Sequence, residues 1–275
     1  MGISTGVALG PEWSGERPGT VVARQQAVER VVEVLRERFA DPLSLDDMAH
    51  IAISSPFHFN RVFRQVTGLP PGRFLSALRL QAAKYLLLTT RRSVTDICFA
   101  VGYNSLGTFT THFTSLVGAS PNRLRRMYRD RASFELPCGP REDQLANSQP
   151  NGATIAGTVR APDAFSALAM VGAFPTPIPR GRPLACSLVS APGSYRLHGL
   201  PDGRIHVLAV ALDGSRDGVS RFTGEYLLRG RCGPIIVRGG VAAGPTDVVL
   251  REPRLTDPPI LVALDVLMHE HPPEH

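Results

Sequence analysis

SPFHFNRVFRQVTG, residues 55–68, decides how the rest of this chain is read. At 100° per residue, Phe59, Val62, Phe63 and Val66 fall on one side of a helix and need a core to face. Phe57, Arg61 and Arg64 lie almost opposite, with Asn60 on the flank and no carboxylate to balance the guanidinium groups. Ser55 is placed to cap the helix, Pro56 to occupy its first position, where a missing N–H costs nothing, and Gly68 to close it. Such a face offers a guanidinium fork to guanine, an amide to adenine and an apolar edge to a thymine methyl. It is the face of a helix laid in a major groove, and the plain alternative is a solvated arginine-bearing surface helix.

Moving outward, the stretch turns out to be half of a repeat. SLDDMAHIA from Ser44 aligns with SVTDICFAV from Ser93 at an offset of 49, and from Ser55 the offset becomes 50. Ser55 then meets Ser105, Phe59 meets Phe109, Phe63 meets Phe113, Gly68 meets Gly118 and Pro71 meets Pro121, so one extra residue sits in the turn of the second copy. Ser44 and Ser93 each have Asp three residues on, the pattern of a capping box, and Gly102 sits where a C-terminal glycine cap belongs. Each copy therefore reads as helix, turn, helix. The outward face of the second copy is Gly107, Thr110, Thr111 and Thr114, whose uncharged hydroxyls discriminate weakly, and His112 is expected to flank the core.

Between the copies, PGRFLSALRLQAAKYLLLTT gives an apolar stripe of Phe74, Leu75, Leu78, Ala82, Tyr85 and Leu86. A helix from Pro71 to Leu88 would be roughly 27 Å long. That length suits holding two groove-entering helices about one duplex turn, roughly 34 Å, apart. From Met48 to Arg129 there is one acid, Asp96, against ten Arg and one Lys, a balance that points to a polyanionic partner. Ser55, Arg64, Arg79, Lys84, Ser105, Arg123, Arg125 and Arg126 are the candidate contacts to a phosphate backbone, with Arg79 and Lys84 expected on the exposed side of the connecting helix. Phe57, Asn60 and Arg61, together with Thr110 and Thr111, are the candidate base contacts.

SLDDMAHIA, SPFHFNRVFRQVTG, LRLQAAKYLLLTT, SVTDICFAVGYNSLGTFTTHF and GASPNRLRRMYR together resemble the DNA-binding domain of the AraC/XylS family of bacterial transcriptional regulators. The resemblance covers residues from about 25 to 131 and implies seven helices in order. It implies base contacts at Phe57, Asn60 and Arg61, double-stranded DNA as partner, and RNA polymerase as a further candidate. The family usually carries an arginine where this chain has Thr111, which weakens the expected readout by the second copy.

Beyond this region the composition changes. Residues 1–22 read as a loose tail, residues 23–132 as the helical DNA-binding domain, and residues 133–152 as a polar linker rich in Pro and Gly. From 153 to 268, short apolar or alternating runs recur every ten residues or so, the pattern of an all-β sandwich or barrel, taken here as a sandwich, and residues 269–275 read as a second tail. GSYRLHGLPDGRIHVLAVALD, from Gly193, resembles a segment of transthyretin-like or carboxypeptidase-regulatory sandwich modules, although Pro201–Gly203 reads equally as a hairpin turn. The expected fold class is therefore multidomain α plus β: an all-α domain with two helix-turn-helix motifs joined by a linker helix, then an all-β sandwich.

No apolar run approaches the roughly 20 residues a membrane span needs, and no signal-peptide pattern opens the chain, so a cytoplasmic protein is expected. The four cysteines form no CxxC pair and are too dispersed for a zinc site; a Cys186–Cys232 disulfide is disfavoured. No nucleophile elbow, phosphate loop or metal signature is found, so neither catalysis nor a cofactor is expected. His198 and His206 read as structural, and the terminal HEHPPEH as frayed. The β module, with little chain ahead of the helical domain to serve as a sensor, is expected to bind a small effector or to mediate dimerisation, and a monomer with two recognition helices already suffices for a bipartite site. Two rivals stand beside a sequence-specific regulator: a nonspecific architectural or protein-interaction module, and a DNA-tethered enzyme.

Overall fold

The computed structural model describes residues 18–130, 141–143, 152–162, 165–211 and 228–262. Seven helices come first: α1 Pro18–Glu37, α2 Leu45–Ile51, α3 Pro56–Thr67, α4 Pro71–Thr89, α5 Val94–Ala100, α6 Leu106–Val117 and α7 Pro121–Asp130. The helical part thus begins at Pro18, inside the stretch expected to be tail. Helices α2 and α5 are offset by 49 residues and α3 and α6 by 50, so the extra residue does fall in the turn between α5 and α6.

The repeat's local chemistry is duplicated. Ser44 accepts from the Asp47 amide while Asp47 accepts from the Ser44 amide, and Ser93 and Asp96 do the same, closing two capping boxes. Ser55 and Ser105 cap α3 and α6. Gly68 and Gly118 end those helices in the left-handed conformation, at φ 81° and 90°. One position departs from the repeat. Gly102, at φ 84°, leaves no room for a Cβ, which would collide with the Ala40 carbonyl oxygen; its counterpart at the 49-residue offset is Ile53, at φ 53° and 88% exposed.

Two apolar clusters share α4. Phe59, Phe63, Phe74, Leu75 and Leu78 pack with Val28, Val31, Val32 and Leu35 of α1 and Met48 and Ala49 of α2. Ala77, Leu80, Ala83 and Leu87 turn the other way, toward Ile97, Cys98, Phe109, Phe113 and Leu124. A helix buried on two sides does not carry a single stripe, and this is why Tyr85, expected inside, is half exposed while Leu80 and Leu87 are buried.

The β-rich region forms a six-stranded sheet of order β1-β4-β3-β6-β7-β8 and a three-stranded sheet of order β5-β2-β9. Its strands are β1 Arg141–Asp143, β2 Ala153–Arg160, β3 Ala167–Phe174, β4 Ala185–Ala191, β5 Gly193–Leu200, β6 Gly203–Ala211, β7 Arg229–Arg238, β8 Val241–Ala243 and β9 Val248–Val249. β1 lies within the stretch expected to be an unstructured linker and pairs antiparallel with β4. The β5–β6 junction is not a hairpin: β5 pairs with β2, whereas β6 lies between β3 and β7 in the other sheet. Cys98, Cys186 and Cys232 are free thiols. The expected strands around residues 225–229 and 260–268 fall mostly outside the described residues, as does the C-terminal tail.

One apolar cluster joins inner positions of both sheets, including Ile155, Tyr195 and Leu197 from one and Val171, Val189, Val207 and Ile235 from the other. The opposite face of the larger sheet presents Met170, Phe174, Leu188, Leu208 and Val210, and Ile260 and Val262 cover it. Leu261 between them points the other way, into the α4–α7 cluster. Leu255 and Ile178 join the α1–α4 cluster. The β region is therefore seated on both halves of the helical domain. Asp257 fixes the segment that does this: Arg251 gives it two hydrogen bonds of 2.8 Å, and Arg229 lies 3.9 Å away.

Candidate nucleic-acid interface

Helix α3 presents its outward face as the sequence requires. Phe57 is 84% exposed, an arrangement that solvent alone would not favour for so large an apolar ring. Asn60, Arg61 and Arg64 are exposed beside it. The Arg61 guanidinium lies 3.4 Å from Nδ1 of His58, a neighbour one turn back that the sequence pattern did not single out. This loose contact orients the arginine without neutralising it. On the opposite side Phe59 and Phe63 stack edge to face at 5.4 Å and hold the helix down.

The second copy repeats the geometry with weaker chemistry. Thr111 and Thr114 are exposed and Thr110 is half-buried. His112, expected to flank the core, is exposed, with its ring edge-on to Tyr103 at 6.2 Å. Ser55 and Ser105 use their hydroxyl oxygens to accept from the His58 and Thr108 amides at 3.4 Å, which leaves each hydroxyl proton to donate outward.

Three expected backbone contacts are engaged inside the fold instead. Lys84 is 0% exposed, and its ammonium donates to the Leu261 carbonyl at 3.1 Å. The helix face assigned to solvent is the one on which the β region sits. Arg79 donates to the carbonyls of Phe39 and Asp41, both at 2.7 Å, tying α4 to the loop after α1, and lies over the Tyr103 ring. Arg125 donates to the carbonyls of Leu87 at 3.1 Å and Arg92 at 2.7 Å, bracing α7 against the end of α4. Burial lowers the proton affinity of Arg79 and Arg125, though both remain charged. Long cations that close carbonyl-rich helix ends look identical in sequence to phosphate ligands. Arg64 and Arg126 are exposed, and Arg123 is half-buried.

Part of the helical region is similar to known proteins. Residues 48–127 match a family model described as a helix-turn-helix domain. Over 100 residues the chain is 31% identical to the bifunctional transcriptional activator/DNA repair enzyme AdaA of Bacillus subtilis (strain 168), covering 36% of this chain and 47% of that protein. It is 36% identical over 92 residues to the HTH-type transcriptional activator RhaS of Enterobacter sp. (strain 638), covering 34% and 33%. The DNA-binding domain of AdpA, a global transcriptional factor solved in complex with a target DNA, is 29% identical, covering 40% of this chain and 98% of that one at a TM-score of 0.38. The chain spans less than half the length of these two curated relatives. The matched residues are a helix-turn-helix DNA-binding domain. They lie within the stretch whose sequence resembles the DNA-binding domain of AraC/XylS regulators.

Among the described residues no group of three or more His, Cys, Asp or Glu is placed to hold a metal ion, and no helix is long and apolar enough to cross a membrane.

Proposed function

We propose that this chain is a non-enzymatic, sequence-specific transcriptional regulator that binds a bipartite site on double-stranded DNA. In this reading α2–α3 and α5–α6 are two helix-turn-helix motifs held by α4, and the two sheets are the halves of a β-sandwich. The observation that carries it is the exposed Phe57–Asn60–Arg61–Arg64 face of α3, cationic and with no acid of its own helix beside it, on a helix whose other face is buried. Arg61 and Asn60 read base edges, Phe57 packs on a thymine methyl, and Thr110 and Thr111 add weaker readout from α6. Ser55, Arg64, Ser105, Arg123 and Arg126 hold the phosphate backbone. RNA polymerase is the natural further partner of such a regulator. The β region, seated on both halves of the helical domain, is where a small effector or a second copy would act, since moving it moves the helices.

The test is to recover binding sites for the full chain from a randomised duplex pool, then compare wild type with Arg61→Ala on the selected and on a scrambled duplex. Removing one bidentate base interaction costs about 1–3 kcal/mol on the selected duplex, with preference relaxed at one position. Equal losses on both duplexes would remove the base-reading role of Arg61, and equal wild-type affinity for both would favour an architectural binder.

A further inference from the structure

The outward faces of the two recognition helices run out at Gly68 and Gly118. Gly68 is seven residues past Arg61 and Gly118 seven past Thr111, so each continues the same stripe about 10 Å toward the helix C-terminus. What meets the chain there is the β region. A Cβ built at Gly68 would lie 3.8 Å from Nη1 of Arg231, and one at Gly118 would lie 3.6 Å from Cγ of Arg182. The Gly181 amide donates to the Leu116 carbonyl at 3.1 Å, so the loop between β3 and β4 is fastened directly to the last turn of α6.

These arginines belong to one end of the larger sheet. Along β6, Ile205, Val207 and Ala209 turn to the inter-sheet cluster and Leu208 and Val210 to the helix-facing one. Arg204 and His206 therefore share the helix-facing side, and Arg231 sits opposite Leu208 on that side. Phe174, where β3 leaves for the loop carrying Arg180 and Arg182, pairs with His206. Arg180, Arg182, Arg204 and Arg231 are all exposed. Asp202, two residues before Arg204, accepts a hydrogen bond from the Gly239 amide. Burial first, then the charges of Arg231 and Arg204, hold the His206 imidazole below its usual proton affinity, so the histidine adds no charge near neutrality.

We propose that this arginine rim of the β region is a phosphate-contacting surface that prolongs the DNA interface past the C-terminal ends of α3 and α6. The inference rests on the DNA-binding reading above. Its chemistry is that of backbone neutralisation: exposed guanidinium groups on a loop and on strand ends, without a helix or ribbon to enter a groove. It also answers a deficit, because α6 has no cationic side chain on its outward face and Arg182 stands at the end of that face. A regulator reading one half-site through threonines alone gains the charge that half-site lacks from a second region of the chain.

The experiment measures affinity of the full chain against salt, on the selected duplex with flanking base pairs and on a scrambled one, for wild type, Arg61→Ala, and the triple variants R180Q/R182Q/R231Q and R180K/R182K/R231K. The glutamine variant is expected to weaken binding on both duplexes alike and to flatten the log–log salt slope by roughly 0.9 for each phosphate no longer neutralised, hence by roughly 2–3. The lysine variant keeps most of the slope, which separates charge from packing should the glutamine variant fold poorly. If Arg61→Ala loses its preference yet the glutamine variant keeps the wild-type slope, or binds more tightly, the rim does not touch DNA while the base-reading proposal stands. If wild type binds no duplex, the parent reading falls first.

Discussion

Leu261→Ala tests whether the β region is part of the helical domain's fabric or merely rests on it. The Leu261 side chain is 5% exposed and lies in the same cluster as Leu80, Leu87, Phe109, Phe113 and Leu124. Truncation removes three carbon atoms from water-free surroundings, about 2.4 kcal/mol at about 0.8 kcal/mol each, and the cavity left behind raises the cost to about 2.5–5 kcal/mol. The backbone carbonyl that accepts from Lys84 is untouched, so the loss isolates packing. Lys84→Met is the companion: it orphans that carbonyl, at about 1–3 kcal/mol, but also relieves the burial of an ammonium group, so it should cost less than Leu261→Ala. Urea unfolding of the full chain followed by far-ultraviolet circular dichroism reads both, with an unchanged m-value expected. The two sites touch, so their effects should not add in the double variant. A Leu261→Ala loss under about 1 kcal/mol would refute this docking, because that is the cost of trimming a half-solvated leucine.

Two further perturbations have opposite or conditional signs. Gly102→Ala should cost about 2 kcal/mol or more, from a left-handed φ and from the collision with the Ala40 carbonyl, whereas Ile53→Gly at the matching position should raise stability by up to about 1 kcal/mol as a β-branched residue is relieved of the same φ; unfolding midpoints of the same sign for the two variants would contradict this. Burial works against the charged form of Asp257, but the Arg251 hydrogen bonds, the Arg229 charge and the Arg254 amide outweigh it and hold its carboxyl below the usual carboxylate range. A depressed folded-state value contributes stability that is complete above the ordinary carboxylate value near pH 4 and is lost as pH falls below it. Asp257→Asn should therefore cost about 2 kcal/mol at neutral pH, with the gap to wild type closing in acid; a gap that stays constant from about pH 6 to pH 3 would exclude the ion pair as its cause.

The helical half was legible because its signals are local. Serine caps, an i+3 aspartate, left-handed glycines and a period of 3.6 each act within one or two turns, and the duplication states them twice. The positions that misled are those whose role depends on chain far away. Lys84 and Arg79 have the spacing of surface cations on a helix, and nothing within ten residues indicates that Leu261 and the Phe39–Asp41 loop complete their surroundings. The β region suffered the same difficulty in another form. Alternation located most strands, but which sheet a strand joins is fixed by long-range pairing, so the sequence left a hairpin turn open as one reading of Pro201–Gly203, where the chain in fact crosses from one sheet to the other. Arg182 and Arg231 could not have been nominated at all, since their meaning comes from lying beside Gly118 and Gly68.

The two halves of the repeat have diverged in a way that gives the β region its place. Gene duplication leaves two helices with the same buried faces, Phe59 and Phe63 against Phe109 and Phe113, so both copies keep their fold. Their outward faces are free to differ, and they do: one holds Phe57, Asn60, Arg61 and Arg64, the other Gly107, Thr110, Thr111 and Thr114. A second copy without charge contributes little to association, which for nucleic acid is driven largely by counterion release. On the DNA-binding reading proposed above, it would still contribute if held rigidly, because binding by the first copy would then already place it in the adjoining groove and its ordering cost would not be met again. Rigid placement is what Leu261, Leu255 and Ile178 supply by entering the cores of both halves at once. The weak copy and the docked β region are in this sense one adaptation, and loosening the second should hurt binding at the threonine half-site far more than at the arginine half-site.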